Sequence, residues 1–248
     1  MTDKYDKNKA LKIRAMFKNI SGRYDLLNTI MTFGRDKSWR RYVIKEASLG
    51  PNSLILDVGT GTGKILHEAL LSNNGIKAFG VDFTLEMMLA GKEQKENISW
   101  CCADALVLPF PDSVFDAVTS GYLIRNVMDI HRSFAEQMRT TKPGGKIVCL
   151  DTSPPPKNLL RPFILLYLKL VIPLLGFLFA GNKNAYRYLT SSTEAFKTPE
   201  ELALIMKDVG LENIRFHRFM FGTISILCGT RPSSHTDLNC FLKTLRYE

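Results

Sequence analysis

The seven residues Asp57-Val58-Gly59-Thr60-Gly61-Thr62-Gly63 decide the fold of this chain. They follow the apolar residues 53–56, which indicate a buried strand, and they precede a segment, 64–71, that can form a helix. Three alternate glycines allow a sharp turn and let a ligand approach the main chain closely. The stretch therefore predicts a ligand-binding turn between a strand and a helix, and a tight turn without a ligand is the alternative.

The glycine spacing distinguishes between two nucleotide cofactors. A dinucleotide-binding turn has the spacing G-x-G-x-x-G, whereas this chain has G-x-G-x-G with Lys64 where the third glycine would fall. The acid before the first glycine suits a cationic or hydroxyl-rich ligand better than a pyrophosphate. The pattern thus favours S-adenosylmethionine over NAD, with Asp57, Gly59 and Gly61 as candidate cofactor-binding residues.

Two more acids follow predicted strands downstream of this turn. Asp82 ends the apolar run 78–81 and Asp104 follows the run 98–102, at intervals of 25 and 22 residues that suit strand–helix–strand units. In an open parallel sheet, ligands bind beyond the carboxyl ends of the strands, where these acids lie. We expect Asp82 to bind the ribose hydroxyls, Asp104 to bind the adenine amino group, and Phe83 to cover the adenine ring. Each acid alone also fits a solvated loop, but three acids at three strand ends favour a cofactor site.

The rest of the pattern predicts an α/β fold. Strands are indicated at 114–119 and 146–150, with an amphipathic helix over 129–140 between them. A capping box formed by Thr198 and Glu201 starts another helix, which Gly210 closes. Two last strands, near 213–219 and 223–229, can pair antiparallel because only a short loop separates them. Together these elements predict a Rossmann-like sheet of seven strands, mostly parallel, with an antiparallel edge strand.

Length and composition fit one domain over residues 1–231, followed by a loose polar tail at 232–248. The five cysteines show no C-x-x-C pairing, which favours packed thiols in a reducing compartment over disulfides. The four histidines are scattered without ligand spacing, so no metal site is predicted. The first residues lack the apolar core of a signal peptide, and we expect a cytoplasmic protein.

The formal net charge of +9 is concentrated in two zones. Residues 1–45 contain twelve Lys or Arg against four Asp and are predicted to form a basic helical segment. Residues 152–193 contain five Lys or Arg and no acid. Nucleic acid and an anionic membrane surface are both partners for such patches, and a solvated helix face is the plain alternative.

The second zone favours a membrane over nucleic acid. Residues 159–180, LLRPFILLYLKLVIPLLGFLFA, are apolar enough for a transmembrane span, but Arg161, Lys169 and two prolines argue against a clean spanning helix. Two short helices separated at Pro173 fit better, within a lid-like apolar insertion over 157–190. Basic residues among large aliphatics suit a segment that lies in an anionic membrane interface, so no nucleic acid partner is predicted. A buried core helix, a homodimer contact and a channel for a greasy substrate are the alternatives.

Several further stretches match a known family, and two of them, the glycine turn and KPGG, occur in many methyltransferases. The stretches are MFKNISGRYDLLN (16–28), GRDKSWRR (34–41), the glycine turn, ADALVLPFPDSVF (103–115), IRNV (124–127), KPGG (142–145) and AYRYL (185–189). On these stretches the chain resembles the ubiquinone/menaquinone biosynthesis C-methyltransferase family from about residue 16 to residue 231. It departs from the family pattern at Leu123-Ile124, where a glycine-leucine pair is usual, and at 151–155, where a Glu-Phe-Ser-Lys-Pro-like run is common.

The resemblance implies a class I S-adenosylmethionine-dependent methyltransferase. Its substrate would be a lipophilic, polyprenylated quinol that is methylated on a ring carbon, and demethylmenaquinol is the expected one. The alternatives are a ubiquinone-pathway benzoquinol, another small aromatic acceptor, and a non-catalytic membrane-bound subunit of a quinone-synthesis assembly. The cofactor contacts that the resemblance implies are Thr62, Asp82, Asp104, Ala105 and Ser120. The residues that it implies around the quinol are Arg125, Asn126 and Tyr24.

The expected role of Arg125 follows from the pKa of arginine, which is about 12.5 or higher and makes this side chain a poor general base. We expect Arg125 to stabilise the quinolate and to orient a water that accepts the hydroxyl proton. Losing that proton makes the ring carbon more nucleophilic. A structural ion pair with Asp129, four residues on, is the alternative role for this arginine, and His131 is the rival base.

Overall fold

The computed structural model describes residues 7–92, 97–180 and 183–233. The predicted loose tail lies outside the described residues except for its first two positions, and so do the first six residues of the predicted basic segment. The rest of that segment is helical. Its helices are α1 (Lys7–Ile20), α2 (Tyr24–Met31) and α3 (Asp36–Ala47).

One sheet of seven strands organises the described residues, in the order β3-β2-β1-β4-β5-β7-β6. The strands are β1 (Leu54–Val58), β2 (Lys77–Asp82), β3 (Ile98–Cys102), β4 (Phe115–Gly121), β5 (Thr141–Thr152), β6 (Glu212–Phe219) and β7 (Ile224–Thr230). Strands β1 to β5 pair in parallel, whereas β7 runs antiparallel to both β5 and the edge strand β6. This mostly parallel α/β sheet confirms the predicted fold class.

Helices cover both faces of the sheet. They include α3, α4 (Lys64–Ser72), α5 (Leu85–Lys92), α6 (Ile130–Thr140) and α10 (Pro199–Asp208), whereas α9 (Lys183–Glu194) packs mainly on the apolar segment described below. Successive strand residues alternate between faces: Ile55 packs with α3 and α4, while Leu56 joins a different cluster. In β5, Val148 belongs to the α3–α4 side and Ile147 to the α6–α10 side. The strands are therefore buried on both faces, as a parallel sheet requires.

The predicted capping box at the start of α10 is present. The Thr198 hydroxyl accepts a hydrogen bond from the Glu201 N–H at 3.3 Å, and the Glu201 carboxylate accepts one from the Thr198 N–H at 2.6 Å. These two bonds satisfy backbone donors that the first turn of a helix would otherwise leave unpaired.

The apolar segment differs from the predicted pair of helices. One continuous helix comprises α7 (Arg161–Leu166), a π-helical turn (Tyr167–Val171) and α8 (Ile172–Ala180), so a break at Pro173 is wrong. The N–H of Ile172 donates to the carbonyl of Tyr167, five residues back, in place of the usual α-helical partner. The wider turn accommodates the ring of Pro173, which lacks an N–H and would clash in a regular helix. This helix, 161–180, is called the apolar helix below.

A close contact between α5 and the glycine turn gives a test of this fold. A Cβ added to Gly91 would lie 2.5 Å from the carbonyl oxygen of Thr62, a backbone atom that cannot rotate away. Gly91→Ala should therefore lower the free energy of unfolding by about 1–3 kcal/mol, measured by urea denaturation. Gly22→Ala is the matched control, because a Cβ there meets nothing within 4 Å. Equal unfolding free energies for the two variants would contradict this packing.

Candidate active site

A cavity of about 170 Å³ opens above the carboxyl ends of β1, β2 and β4, and it is called the sheet-edge cavity below. Helices α1 and α2 form its opposite wall. Eight of the nine predicted cofactor-binding residues line it, namely Asp57, Gly59, Gly61, Thr62, Asp82, Phe83, Asp104 and Ala105. The ninth, Ser120, is fully buried in β4 and lines neither this cavity nor the second one described below.

Both the backbone conformation and the close packing require glycine at the two ends of the glycine turn, Gly59 and Gly63. Gly59 and Gly63 have φ values of 69° and 72°, in the left-handed region that side chains disfavour. A Cβ at Gly59 would also lie 2.8 Å from Leu123, and one at Gly63 would lie 2.6 Å from Trp100. The bare backbone of the turn therefore faces the cavity. Thr60 lines the same cavity, and its hydroxyl oxygen is buried near Gly80 of β2 without a hydrogen-bond partner among the described residues.

The three predicted acids are held in defined orientations by nearby donors. The Asp82 carboxylate accepts hydrogen bonds from the N–H groups of Gly61 at 2.8 Å and Thr84 at 2.7 Å. Burial raises the pKa of Asp82, and these N–H donors act against that increase. Asp57 accepts from the Thr119 hydroxyl at 2.7 Å. Asp104, in turn, accepts from the N–H two residues further on, at 2.9 Å.

The N-terminal helices contact the glycine turn through Asp25, which is not among the predicted site residues. Asp25 accepts a hydrogen bond from the Thr62 hydroxyl at 2.8 Å, and its other oxygen lies 3.3 Å from the Lys64 ammonium. The guanidinium of Arg14 lies 5.3 Å from the ring centre of Phe83, within cation–π range. Asp25 lies in the stretch 16–28 that carries the family resemblance, and that stretch was the signal available for it.

A second, larger cavity of about 400 Å³ lies under the apolar helix and is called the apolar cavity below. Its apolar lining includes Met31, Ile164, Leu168, Ile172, Leu189 and Ile224. Tyr24, Asn28 and Tyr122 line both cavities, so the two adjoin at these three side chains. The arrangement can therefore hold a polar and an apolar ligand in contact with each other.

Arg125 lies at the wall of the apolar cavity and is paired with a buried acid. Its side chain is 4% exposed, and its guanidinium forms an ion pair with Asp151, which is fully buried. The backbone N–H of Arg125 donates to the other carboxylate oxygen of Asp151 at 3.1 Å. The alternative pairing with Asp129 is wrong, because Asp129 caps α6 by accepting from the Arg132 N–H at 2.9 Å.

Arg125 keeps its charge and one free donor in this setting. Burial is the largest single influence and lowers its pKa, but the charge of Asp151, the nearby Tyr24 and Tyr122, and the hydrogen bond to Asp151 together raise the net pKa. The guanidinium lies 5.3 Å from the ring centre of Tyr122. Its Nε is buried and donates no hydrogen bond to any described residue. Asp151 was missed as a site residue, although it lies near the carboxyl end of β5 just as the predicted acids lie near other strand ends.

The remaining predicted residues differ in the cavities that they line: Tyr24 lines both, Asn126 lines the sheet-edge cavity, and His131 lines neither. Burial raises the pKa of Tyr24 despite the nearby charge of Arg125, so the phenol stays protonated at neutral pH and can donate but not act as a base. Asn126 lines the sheet-edge cavity, donates to the Tyr122 carbonyl at 2.9 Å and accepts from the Tyr188 hydroxyl at 3.2 Å. His131, the rival base, is exposed on α6 and lines neither cavity.

Comparison with known families settles the class of this site. The family model described as the ubiE/COQ5 methyltransferase family matches residues 4–231. The chain belongs to this family. A relative from Desulfotalea psychrophila named ubiquinone/menaquinone biosynthesis C-methyltransferase UbiE is 42% identical over 221 residues, covering 88% of this chain and 90% of the relative. A demethylmenaquinone methyltransferase from Thermus thermophilus is 39% identical over 221 residues, covering 88% of this chain and 100% of the relative.

Solved structures share the fold of this family member at low sequence identity. A methyltransferase from Thermotoga maritima has a TM-score of 0.64 at 17% identity, covering 88% of this chain and 99% of that chain. The phosphoethanolamine N-methyltransferase 2 of Haemonchus contortus, in complex with S-adenosyl-L-methionine, has a TM-score of 0.59 at 16% identity, covering 79% of this chain and 52% of that chain. The chain is thus an S-adenosylmethionine-dependent methyltransferase of quinone biosynthesis with the class I fold.

The buried Arg125–Asp151 pair makes a strong prediction for stability. Asp151→Asn leaves the guanidinium without its counter-charge in a buried position, which should lower the free energy of unfolding by about 3–5 kcal/mol. Asp129→Asn is the matched control, because asparagine caps a helix about as well as aspartate and the free energy of unfolding should change by less than ~0.5 kcal/mol. Urea denaturation of both variants measures the difference. A small, equal effect would show that Arg125 does not depend on Asp151.

Proposed function

We propose that this methyltransferase transfers the methyl group of S-adenosylmethionine to a ring carbon of a polyprenylated quinol, demethylmenaquinol. One observation carries the proposal: a polar cavity at the glycine turn adjoins an apolar cavity, and Arg125 lies at the wall of the apolar one near their junction. The name of the Thermus thermophilus relative supports the choice of quinol.

The sheet-edge cavity fits the cofactor. Asp82 offers a carboxylate to the ribose hydroxyls, and Asp104 offers one to the adenine amino group. Phe83 covers the adenine ring. When bound, S-adenosylmethionine supplies an electrophilic methyl group on a positively charged sulfur. The turn residues position that end of the cofactor toward Tyr24 and Tyr122, where the two cavities meet.

The apolar cavity holds the quinol with its oxygen near Arg125. The guanidinium stays protonated, and its free Nε–H can donate to a quinol oxygen as negative charge develops there. Charge on that oxygen makes the neighbouring ring carbon nucleophilic, and the cavity walls hold that carbon in line with the methyl group. Once methylated, the ring carbon gives up its hydrogen as a proton and the oxygen is reprotonated, which restores the aromatic quinol. Asp151 is committed to Arg125 and Tyr24 is protonated, so a water oriented by Arg125 accepts the hydroxyl proton.

The ring type is the remaining choice within this proposal. The name of the Desulfotalea psychrophila relative includes both ubiquinone and menaquinone synthesis. A benzoquinol of the ubiquinone pathway has a smaller ring that the apolar cavity also accommodates. Assays with both quinols, and mass spectrometry of quinones from a host that lacks the protein, separate the two substrates. A host with unchanged quinones would favour a non-catalytic role.

The apolar helix supports a peripheral membrane location on the cytoplasmic side. Arg161–Leu178 is the one helix in the described ranges that is long and apolar enough to cross a membrane, with a mean hydropathy of 1.8 and 17% of it buried. One side packs on the domain, since the Tyr167 hydroxyl donates to the Met31 carbonyl at 2.7 Å and Leu168 is buried. The other side exposes apolar residues three or four positions apart, Phe163, Leu166, Leu170, Leu174 and Phe177. A helix with one face on protein fits the interface better than a span.

One basic residue of the apolar helix is neutralised, although the sequence around it contains no acid. Lys169 pairs with Glu194 of α9 at 3.0 Å, so an acid just beyond the acid-free zone neutralises it. Lys157 is exposed, and Arg161 is half-buried. The attraction to anionic lipid therefore depends less on Lys169 than on the other basic residues. A homodimer contact through the same exposed side is the competing proposal.

Cofactor binding gives a direct test of Asp82. Asp82→Ala should weaken S-adenosylmethionine binding by about 2 kcal/mol or more, roughly 30-fold in Kd, because buried hydroxyls lose a charged acceptor. Isothermal titration calorimetry measures the change. Asp208→Ala is the control, since Asp208 is exposed at the end of α10 and lines neither cavity. An unchanged Kd for Asp82→Ala would remove this residue from the cofactor site.

Turnover tests the role of Arg125. Arg125→Lys keeps the positive charge next to Asp151 but loses the planar guanidinium and its Nε donor. We expect turnover of demethylmenaquinol to fall at least ~100-fold, with S-adenosylmethionine affinity nearly intact, because only transition-state stabilisation is lost. The comparison uses kcat, calorimetric Kd and unfolding free energy on the same samples. Full activity in a stable Arg125→Lys variant would assign the arginine a purely structural role.

Vesicle flotation tests the membrane contact. The protein should bind anionic vesicles better than neutral ones, by about 1 kcal/mol per Lys or Arg near the surface, and the difference should shrink at high salt. Leu170→Ser/Leu174→Ser should reduce binding, whereas Leu204→Ser, an equally exposed change on α10, should not. Equal binding by all variants would remove the apolar helix from the contact.

A further inference from the structure

Four bulky residues in the described ranges have left-handed backbone conformations, and all four line the apolar cavity. They are Phe33, Tyr122, Met220 and Phe221, with φ values of 53°, 58°, 48° and 54°. The other non-glycine residues with positive φ in the described ranges are serines and asparagines, and none of them lines this cavity. Large side chains rarely adopt this conformation, so its concentration around one cavity points to a role there.

Two of these residues, with one from the apolar helix, lie at the mouth of the cavity. Phe33, Phe163 and Phe221 line it, yet they are 73%, 71% and 71% exposed. They come from three separate elements: the turn after α2, α7, and the turn between β6 and β7. Phe33 stacks on Tyr167 of the apolar helix, with ring centres 6.0 Å apart. These three phenylalanines are called the aromatic rim below.

Basic residues border the aromatic rim. Arg35 and Lys37 are exposed, two and four residues after Phe33 in the chain. Lys157 is exposed next to Pro156, whose ring lies 3.2 Å from the position of a Cβ built on Gly222, in the turn that carries Phe221. These three cations form no ion pair with any residue that the structure describes. Exposed aromatic rings beside free positive charge match the interface of an anionic bilayer.

We infer that the aromatic rim inserts into an anionic bilayer, so that the mouth of the apolar cavity opens directly into lipid. A prenyl chain then passes from the bilayer into the cavity between Phe33, Phe163 and Phe221 without crossing water. The left-handed turns hold Phe33 and Phe221 outward from the domain for this contact. The inference rests on the proposed quinol substrate and adds the face of the protein that meets the membrane and the route of entry.

Fluorescence quenching tests the orientation. The Phe33→Trp and Phe221→Trp variants are mixed with vesicles of phosphatidylglycerol and brominated phosphatidylcholine, beside wild type and Leu71→Trp, an exposed site on α4. Wild type gives the background of the buried Trp39 and of Trp100. Emission of the two rim variants should fall about twofold relative to unbrominated vesicles after this background is subtracted, because the rings reach the acyl boundary. Leu71→Trp should show no added quenching. Equal quenching at all three sites, or at none, overturns the inference.

Kinetics test the entry route. Phe33→Asn/Phe221→Asn removes the rings while asparagine accepts the left-handed backbone, which protects the fold. The ratio of kcat/KM for a long-chain quinol in vesicles to that for a short-chain quinol in solution should fall about 10-fold relative to wild type, and Leu71→Asn should leave it unchanged. A proportional loss on both substrates overturns the entry route. The entry route is also overturned if light scattering shows a wild-type dimer that the double variant abolishes, and the first experiment shows no quenching. If wild type methylates no quinol at all, the proposed function fails, while the quenching result still decides the orientation.

Discussion

The buried ion pair between Arg125 and Asp151 is the interaction on which the site depends. Taking two charges out of water is expensive, and each is stable there only because the other is present. Asp151 lies at the end of β5, and Arg125 lies in the turn after β4, so the pair joins neighbouring parallel strands at their carboxyl ends. The pairing of Gly121 with Leu150 in the sheet sets this geometry. A rigid sheet thus fixes the guanidinium at the wall of an apolar cavity, where the proposed function uses it to stabilise a developing oxyanion.

The N-terminal helices link the two cavities through neighbouring residues. Tyr24 lines both cavities, and the next residue, Asp25, bonds to Thr62 of the glycine turn and pairs with Lys64. Helix α2 also packs on the apolar helix through Leu27 and Met31, which share a cluster with Ile172. One short helix therefore contacts both cavities and the apolar helix. In the proposed function, this helix would couple the placement of the methyl donor to the placement of its acceptor.

The features that the sequence predicted correctly are those that short, local patterns encode. The glycine turn, the acids at strand ends and the capping box at Thr198 each follow from a few adjacent residues, and the structure places all of them as expected. The partner of Arg125 did not follow, because Asp151 is 26 residues away and meets it only through the register of β4 and β5. The nearer Asp129 satisfied a helical spacing rule but caps α6 instead. Pro173 was misjudged because a π-helical turn, which no local pattern signals, absorbs its ring.

The apolar helix is hydrophobic on both sides, and this property connects the fold to the substrate. In a water-soluble domain, a helix with one face on the core carries polar residues on the other. Here Leu168 and Ile172 line the apolar cavity while Leu170 and Leu174 are exposed, so the helix presents apolar side chains both to the cavity and to its surroundings. A small polar acceptor would need neither the apolar cavity nor the apolar outer face. A ring with a long hydrocarbon chain needs both, since the chain must leave one apolar phase and enter another. The outer face of this helix therefore favours a lipid-borne quinol over a soluble aromatic acceptor, independently of the chemistry at Arg125.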